Sequence, residues 1–581
     1  MRTTVTIAMI IAINLISASS GIADKMGPRP ENLPLLTGEE RFEEAIYAPS
    51  IPPTIASPGV IVGMTQYDYQ SNGSTGNRCA VDSDGGVHFT WMNGISYPSE
   101  RAVYYNYVDA QGNWLSAVEV SQVNGAGYAQ ITVTNDNRAA IAYHSSQNPS
   151  VENFVTLAID QFPGFGIFQY FDPPDMLTIQ CYWPYLSIDR NDVIHILSAE
   201  NPPNAGDEQA LGYTNSTDGG STWSAIVPVD TIMTLSQNVV SSPVSDKSAI
   251  VYTHPLTYDT QWQNDIYYIE SQDGLTWDWR FGKVNVTGYG PPDSLYAYTD
   301  LDAIYDNNDN LHIIWNAQWV TSTSVYYKTY LLHFDRDSGV IREISSSQDN
   351  WIPGCDFGAW NRPICKMSMA ACRNADEGLA AVYTAFDTSD CSAGGYANGE
   401  IYMQYSYDAG VTWDPPVNLT NSPTPGCLPG SCESDHWSSA ADIIHGGIHI
   451  IYVEDRDAGG IPQTEGAVTD NFMRYLAVAG PWCPTGIEDD DNLPVTFSLY
   501  QNYPNPFNSQ TEIAFNLGYA ATVDLSVYDI AGRKIEVLTN GVMEAGNHSV
   551  IWDAERFSSG VYFYRLEAGS DSYTRKMTLL K

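Results

Sequence analysis

Ser216-Thr217-Asp218-Gly219-Gly220-Ser221-Thr222-Trp223 recurs as Ser406-Tyr407-Asp408-Ala409-Gly410-Val411-Thr412-Trp413 and, one residue shorter, as Ser271-Gln272-Asp273-Gly274-Leu275-Thr276-Trp277. Each copy follows a stretch of alternating side chains, at 211–214, 401–405 and 266–269. That alternation predicts a strand, and the Ser-x-Asp-x-Gly segment then predicts a hairpin turn with its Trp opening the return strand. Asp and Ser side chains bond the turn's own amides, and Gly supplies the positive φ. Decayed forms stand at Asp109-Ala110-Gln111-Gly112-Asn113-Trp114 and Asp335-Arg336-Asp337-Ser338-Gly339.

A second repeat, strand, polar turn and strand, is centred on His88, Ala140, His195, Ala249, His312, Ala380 and His449, at spacings of 52, 55, 54, 63, 68 and 69 residues. These are somewhat longer than the repeats of about 40 to 50 residues typical of propellers. Three residues on come Trp91, Tyr143, Ser198, Tyr252, Trp315, Tyr383 and Tyr452, which face the opposite side of the strand. The alternation of His and Ala suits large and small side chains interleaving between facing sheets, and is read as packing rather than as a metal ring. Asp82, Asp189 and Asp306 each stand six residues before a His and are read as turn caps. The last module lacks a fourth strand, which residues 60–67 would supply, removing the free sheet edges.

The three good copies resemble the Asp-box of sialidase-like β-propellers, in which the box is scaffold away from the active centre. The fold class is therefore all-β: a seven-bladed β-propeller over 59–484, with a six-bladed sialidase-like ring as the alternative, followed by a small Ig-like β-sandwich. The structural Asp-box residues are Ser216, Asp218, Gly220, Trp223, Asp273, Trp277, Ser406, Asp408, Gly410 and Trp413.

Met1-Arg2, an apolar run from Val5 to Ile16 and small residues after it read as a signal peptide over 1–23. A proline-rich leader spans 24–58 and an acidic linker 485–494. No later stretch is long and apolar enough for a transmembrane helix. The formal net charge of -42 argues against nucleic acid and anionic membranes, which need a basic footprint. It reads as a solvated acidic shell; no cofactor is implied, and calcium is the sharper alternative. Of nine cysteines, Cys355 with Cys365, Cys372 with Cys391 and Cys427 with Cys432 are plausible local disulfides in an exported chain.

Residues 495–581 hold Asn502-Tyr503-Pro504-Asn505-Pro506-Phe507-Asn508, Val527-Tyr528-Asp529, Trp552-Asp553, Ser559-Gly560-Val561-Tyr562-Phe563 and a basic end. This set resembles the type A C-terminal sorting domain of type IX secretion cargo. The resemblance implies recognition by that secretion machinery at the outer membrane of a Gram-negative bacterium. Removal of the domain, with release or attachment to surface glycolipid, usually follows.

Sialidases of the Asp-box class clamp a carboxylate with several arginines, a bidentate task that lysine does poorly. Arg78, ten residues before His88, occupies the place of the first clamp arginine, without the Ile-Pro that follows it in that family. The same offset in the other modules gives Gln130, Tyr185, Val239, Asp302, Ala370 and Ser439, so no second arginine appears. Candidate ligand contacts are Arg78, Tyr185 and Asp302 near the axis, and Trp360, Arg362 and His436 in two cysteine-containing insertions, 351–366 and 423–437. Three functions follow: a secreted or surface propeller binding glycans or proteins, a sialidase-like hydrolase, and a structural envelope protein. A fusion of residues 485–581 to a periplasmic reporter is expected to reach the surface of a type IX-competent host; retention in the periplasm there sinks the sorting assignment.

Overall fold

The computed structural model describes residues 57–478 apart from 72, 97–99, 149–151, 175–180, 201–208, 234–235, 257–262, 291–293, 322–323, 348–354, 359 and 373–377. It also describes 26–28, 47–48, 483, 498–499, 502, 507–517, 521–529, 533–543, 546–568 and 571–581. The signal peptide, most of the leader, the acidic linker and Tyr503, Pro504, Asn505 and Pro506 lie outside the described residues.

The described strands are antiparallel almost throughout, and between 60 and 478 they fall into seven groups of four in chain order, the fourth and fifth joined in one nine-stranded sheet with Met26–Pro28 and the sixth extended by the short parallel strand Ile443–Ile444. The first runs Cys79–Val81, Val87–Ser96, Glu100–Val108, Val118–Glu119, and the pattern repeats from Gly127, Cys181, Gln237, Ser294, Ile364 and Ser434. The fourth and fifth groups share a single bridge, Asn264 to Ala297. In the last group, Ser434–Ala440, Ile448–Asp455 and Asn471–Val478 are completed by Val60–Thr65, which pairs with Asn471–Val478. The first and last innermost strands meet directly, Arg78 N donating to Ser439 Oγ at 3.0 Å. This is a β-propeller. Met26–Pro28, read from sequence as part of a loose leader, adds an edge to Ser324–Asp335.

The repeated octapeptides form matching turns. Ser216 Oγ donates to Asp218 Oδ1 at 2.9 Å and accepts from Gly220 N at 2.9 Å, while Asp218 Oδ1 accepts from Thr222 N at 2.7 Å. Ser406, Asp408, Gly410 and Thr412 repeat these bonds at 2.9, 2.7 and 2.8 Å. In the shorter copy Asp273 Oδ1 accepts from Thr276 N at 2.6 Å. One expectation needs correction: the return strands begin at Val227, Val284 and Val417, beyond the Trp in each case. Trp413 turns inward instead, its ring edge-on to His333 of the preceding group at 5.6 Å.

The His positions combine packing with a buried bond. His88 joins Asp82 Oδ2 at 3.2 Å to Tyr105 Oη at 2.8 Å, and His312 joins Asp306 at 3.3 Å to His333 at 2.9 Å. The other oxygen of Asp82 and Asp306 caps the turn, accepting from Gly86 N at 2.7 Å and Asn310 N at 2.8 Å.

Two cysteine pairings differ from expectation. The disulfides are Cys355–Cys391, Cys372–Cys483 and Cys427–Cys432; Cys79 and Cys365 are buried thiols. Sequence proximity misled because cysteines far apart in the chain sit side by side on neighbouring strands and links.

The C-terminal strands form one sheet of Ser498–Leu499, Gln510–Leu517 and Gly546–Asp553, and another of Ala521–Tyr528, Lys534–Met543, Gly560–Ala568 and Asp571–Leu579. Their inner faces enclose Phe507, Phe515, Val527, Trp552 and Tyr564.

Gly219 and Gly410 both have positive φ, but a Cβ on Gly219 meets nothing within 4 Å whereas one on Gly410 falls 2.1 Å from His333. Gly219→Ala is expected to cost about 1 kcal/mol, the left-handed backbone term. Gly410→Ala is expected to cost about 1–3 kcal/mol more through overpacking. Thermal melting of the two variants checks this; equal losses would show that the turn does not fix the packing between sheets.

Candidate functional site

The observed strand register redefines the axial positions. The residue paired two places beyond each His or Ala reference is Gln130 to Ala142, Tyr185 to Leu197, Asn238 to Val251, Asp302 to Ile314, Ser368 to Val382 and Ser439 to Ile451. Arg78 takes the same place, accepting from Thr90 N at 3.0 Å. Val239 and Ala370, placed there by counting, are therefore replaced by Asn238 and Ser368, because turn length and strand irregularities vary between groups. All seven axial side chains are polar.

The link 66–78, between Val60–Thr65 and the innermost strand of the first group, crosses this axial end. We call it the strap. Its Tyr67, Asp68, Tyr69, Gln70, Ser71, Ser74 and Thr75 are all buried. Arg78 Nη2 donates to Gln70 O at 2.7 Å, Tyr185 Oη to Ser74 O at 2.6 Å, and Lys366 Nζ to Gly73 O at 3.4 Å. Ser74 N donates to Ser236 Oγ at 3.1 Å, and Tyr69 packs edge-on against Trp437, 4.8 Å between centroids. The strap thus contacts the first, third, fourth, sixth and seventh groups, filling the mouth with its own carbonyls.

The six candidate contacts all lie buried. Arg78 is 1 % exposed; burial lowers its pKa to about 10, leaving it cationic at neutral pH. Asp302 accepts from Asn238 Nδ2 and Met369 N, both at 2.7 Å, and burial raises its carboxyl to about 8. Tyr185 is buried against the strap. Trp360 and Arg362 come together on Tyr298, with the guanidinium 4.5 Å from its ring centre. His436 bonds Ser434 Oγ at 2.5 Å, and burial, with Lys366 nearby, lowers its pKa to about 3.

Lys366, missed in the sequence, pairs with Asp300 at 2.9 Å and lies 4.5 Å from the Trp437 ring centre. A second group missed is an internal charge cluster. Arg456 pairs with Glu433 and, at 2.7 Å, with Glu454, while Arg474 pairs with Glu454. Ser57 Oγ donates to Glu433 at 2.7 Å, and Arg474 Nη1 to Gly59 O at 3.1 Å. Glu433, within the 423–437 insertion, bonds Ser57 just ahead of the closing strand. Among the described residues no group of three or more His, Cys, Asp or Glu side chains is arranged to hold a metal ion, and no helix among them is long and apolar enough to cross a membrane.

Residues 501–579 match the secretion system C-terminal sorting domain. No curated protein matches the chain. Similar solved structures include a protein of unknown function from Dyadobacter fermentans (11% identity, 61% of this chain and 99% of that one, TM-score 0.36). The GH93 α-L-arabinofuranosidase of Fusarium graminearum gives 13% identity over 60% of this chain and 97% of that one, with TM-score 0.37. The NanB sialidase of Streptococcus pneumoniae gives 11% identity over 74% and 71%, with TM-score 0.36. The sorting domain marks the protein as secreted or displayed at the cell surface of a Gram-negative bacterium.

Asp302 yields a pH prediction. Its folded value of about 8 lies above the unfolded value of about 4, so its protonated form favours folding. That contribution is whole below about pH 4 and is lost as pH rises through about 8. Asp302→Asn is expected to flatten the fall in melting temperature across this window, even if its absolute stability is lower. An unchanged slope would show that Asp302 is not protonated in the fold.

Proposed function

We propose that the chain is an exported surface or secreted β-propeller that binds glycans or proteins through its loop face and performs no glycoside cleavage at its axis. Seven four-stranded groups support reading it as a seven-bladed ring, with 59–484 the propeller and 495–581 the sorting domain.

One observation carries the non-catalytic reading. The strap occupies the axial mouth and its carbonyls accept from Arg78, Tyr185 and Lys366. A substrate carboxylate would have to displace buried tyrosines and several hydrogen bonds to reach a single arginine. Surface loops on the rigid ring are left as the place for recognition.

The secreted protein is expected to give no turnover with a panel of fluorogenic glycosides that includes sialosides. On immobilised glycans and envelope proteins, any binding is expected to survive Arg78→Ala. Robust hydrolysis abolished by Arg78→Ala would overturn the proposal in favour of the sialidase reading.

A further inference from the structure

Arg78 is almost fully buried, yet Nη1 has no hydrogen-bond acceptor. Among the described residues no carboxylate lies within ion-pair reach of it. Nη2 donates to Gln70 O at 2.7 Å, and the phenols of Tyr185 and Tyr128 are near enough to act on its charge. The strap leading into Arg78 also carries two buried hydroxyls with no partner, Ser74 Oγ and Thr75 Oγ1.

The carboxyl groups of Asp300, Asp302 and Asp442 do not balance this cation. Asp300 is paired with Lys366. Asp302 and Asp442 are raised by burial to about 8 and about 7, which reduces their negative charge near neutral pH. An isolated buried cation costs several kcal/mol unless an opposite charge or a full set of hydrogen bonds offsets it.

We propose that Arg78 Nη1 holds a small monovalent inorganic anion, of the size of chloride, against the strap, with the Ser74 and Thr75 hydroxyls as neutral donors. One uncompensated guanidinium fits one negative charge. The strap across the mouth restricts the ligand to an ion that can be enclosed. The site is distinct from carboxylate capture by an open arginine cluster, since it needs the strap in place and supplies one arginine. With a net charge of -42 the molecule as a whole repels anions, so a halide at the axis requires local chemistry.

Bromide is the probe, with the full secreted protein. Crystals grown in sodium bromide are expected to show an anomalous peak within hydrogen-bond reach of Arg78 Nη1. Melting temperature is expected to rise by about 2 °C or more from gluconate to bromide at matched ionic strength, as for a ligand bound only by the folded state. Arg78→Met is expected to abolish that rise. If the variant does not fold, the anomalous peak in the unmodified protein decides. Water alone at Nη1, or bromide at the surface as an adventitious ion only, overturns the proposal. Glycoside turnover is read separately, so either conclusion can fail without the other.

Discussion

The pairing of Val60–Thr65 with Asn471–Val478 is the constraint on which the rest depends. It uses one of the first described strands of the ring to complete its last sheet, so neither chain end leaves an open sheet edge there. The internal charge cluster holds this junction, with Arg474 reaching Gly59 O and Glu433 reaching Ser57. Such a cluster is costly to bury and more costly to break, because loss of one partner strands the other charge. Its value here is specificity of closure: the short outer strand has one position that satisfies Ser57, Gly59, Glu433 and Arg474 together.

Closure at this place dictates the strap. From Thr65 the chain must cross to the innermost strand of the first group, and that path passes over the axis. The crossing segment is rich in Ser, Asn and Gly, a composition that suits an exposed loop, yet among its described residues all but the partly buried Gln66 and Asn77 are buried. Gly76 shows why a small residue is needed. Its φ is +63°, and a Cβ there would fall 1.9 Å from Gln130 Oε1.

The sequence made the repeating parts legible and left the singular parts obscure. Strand alternation and the Ser-x-Asp turns are local and recur, so their hydrogen bonds are those anticipated from Ser216, Asp218 and Gly220. Axial positions depend on register, and one added residue in a strand moves Asn238 or Ser368 into a place that counting gives to Val239 or Ala370. The burial of Arg78, Trp360 and His436 follows from the strap and two long links meeting over one end of the ring. No local pattern encodes that meeting.

Arg78 shows how place and function separate. An arginine at the inner edge of the first sheet is suited to a substrate carboxylate only if the mouth is open and further arginines converge on it. Here the neighbouring axial residues are Gln130, Tyr185, Asn238, Asp302, Ser368 and Ser439, and the guanidinium donates to the strap. These side chains link adjacent strands instead: Asn238 to Asp302, Asp302 to Met369 N, and Ser368 to Ala440 N. Polar residues that would line an open pocket have become the seam of the ring. Their buried bonds help set the register that the apolar layers alone leave free, because a backbone shift would leave several donors unsatisfied at once.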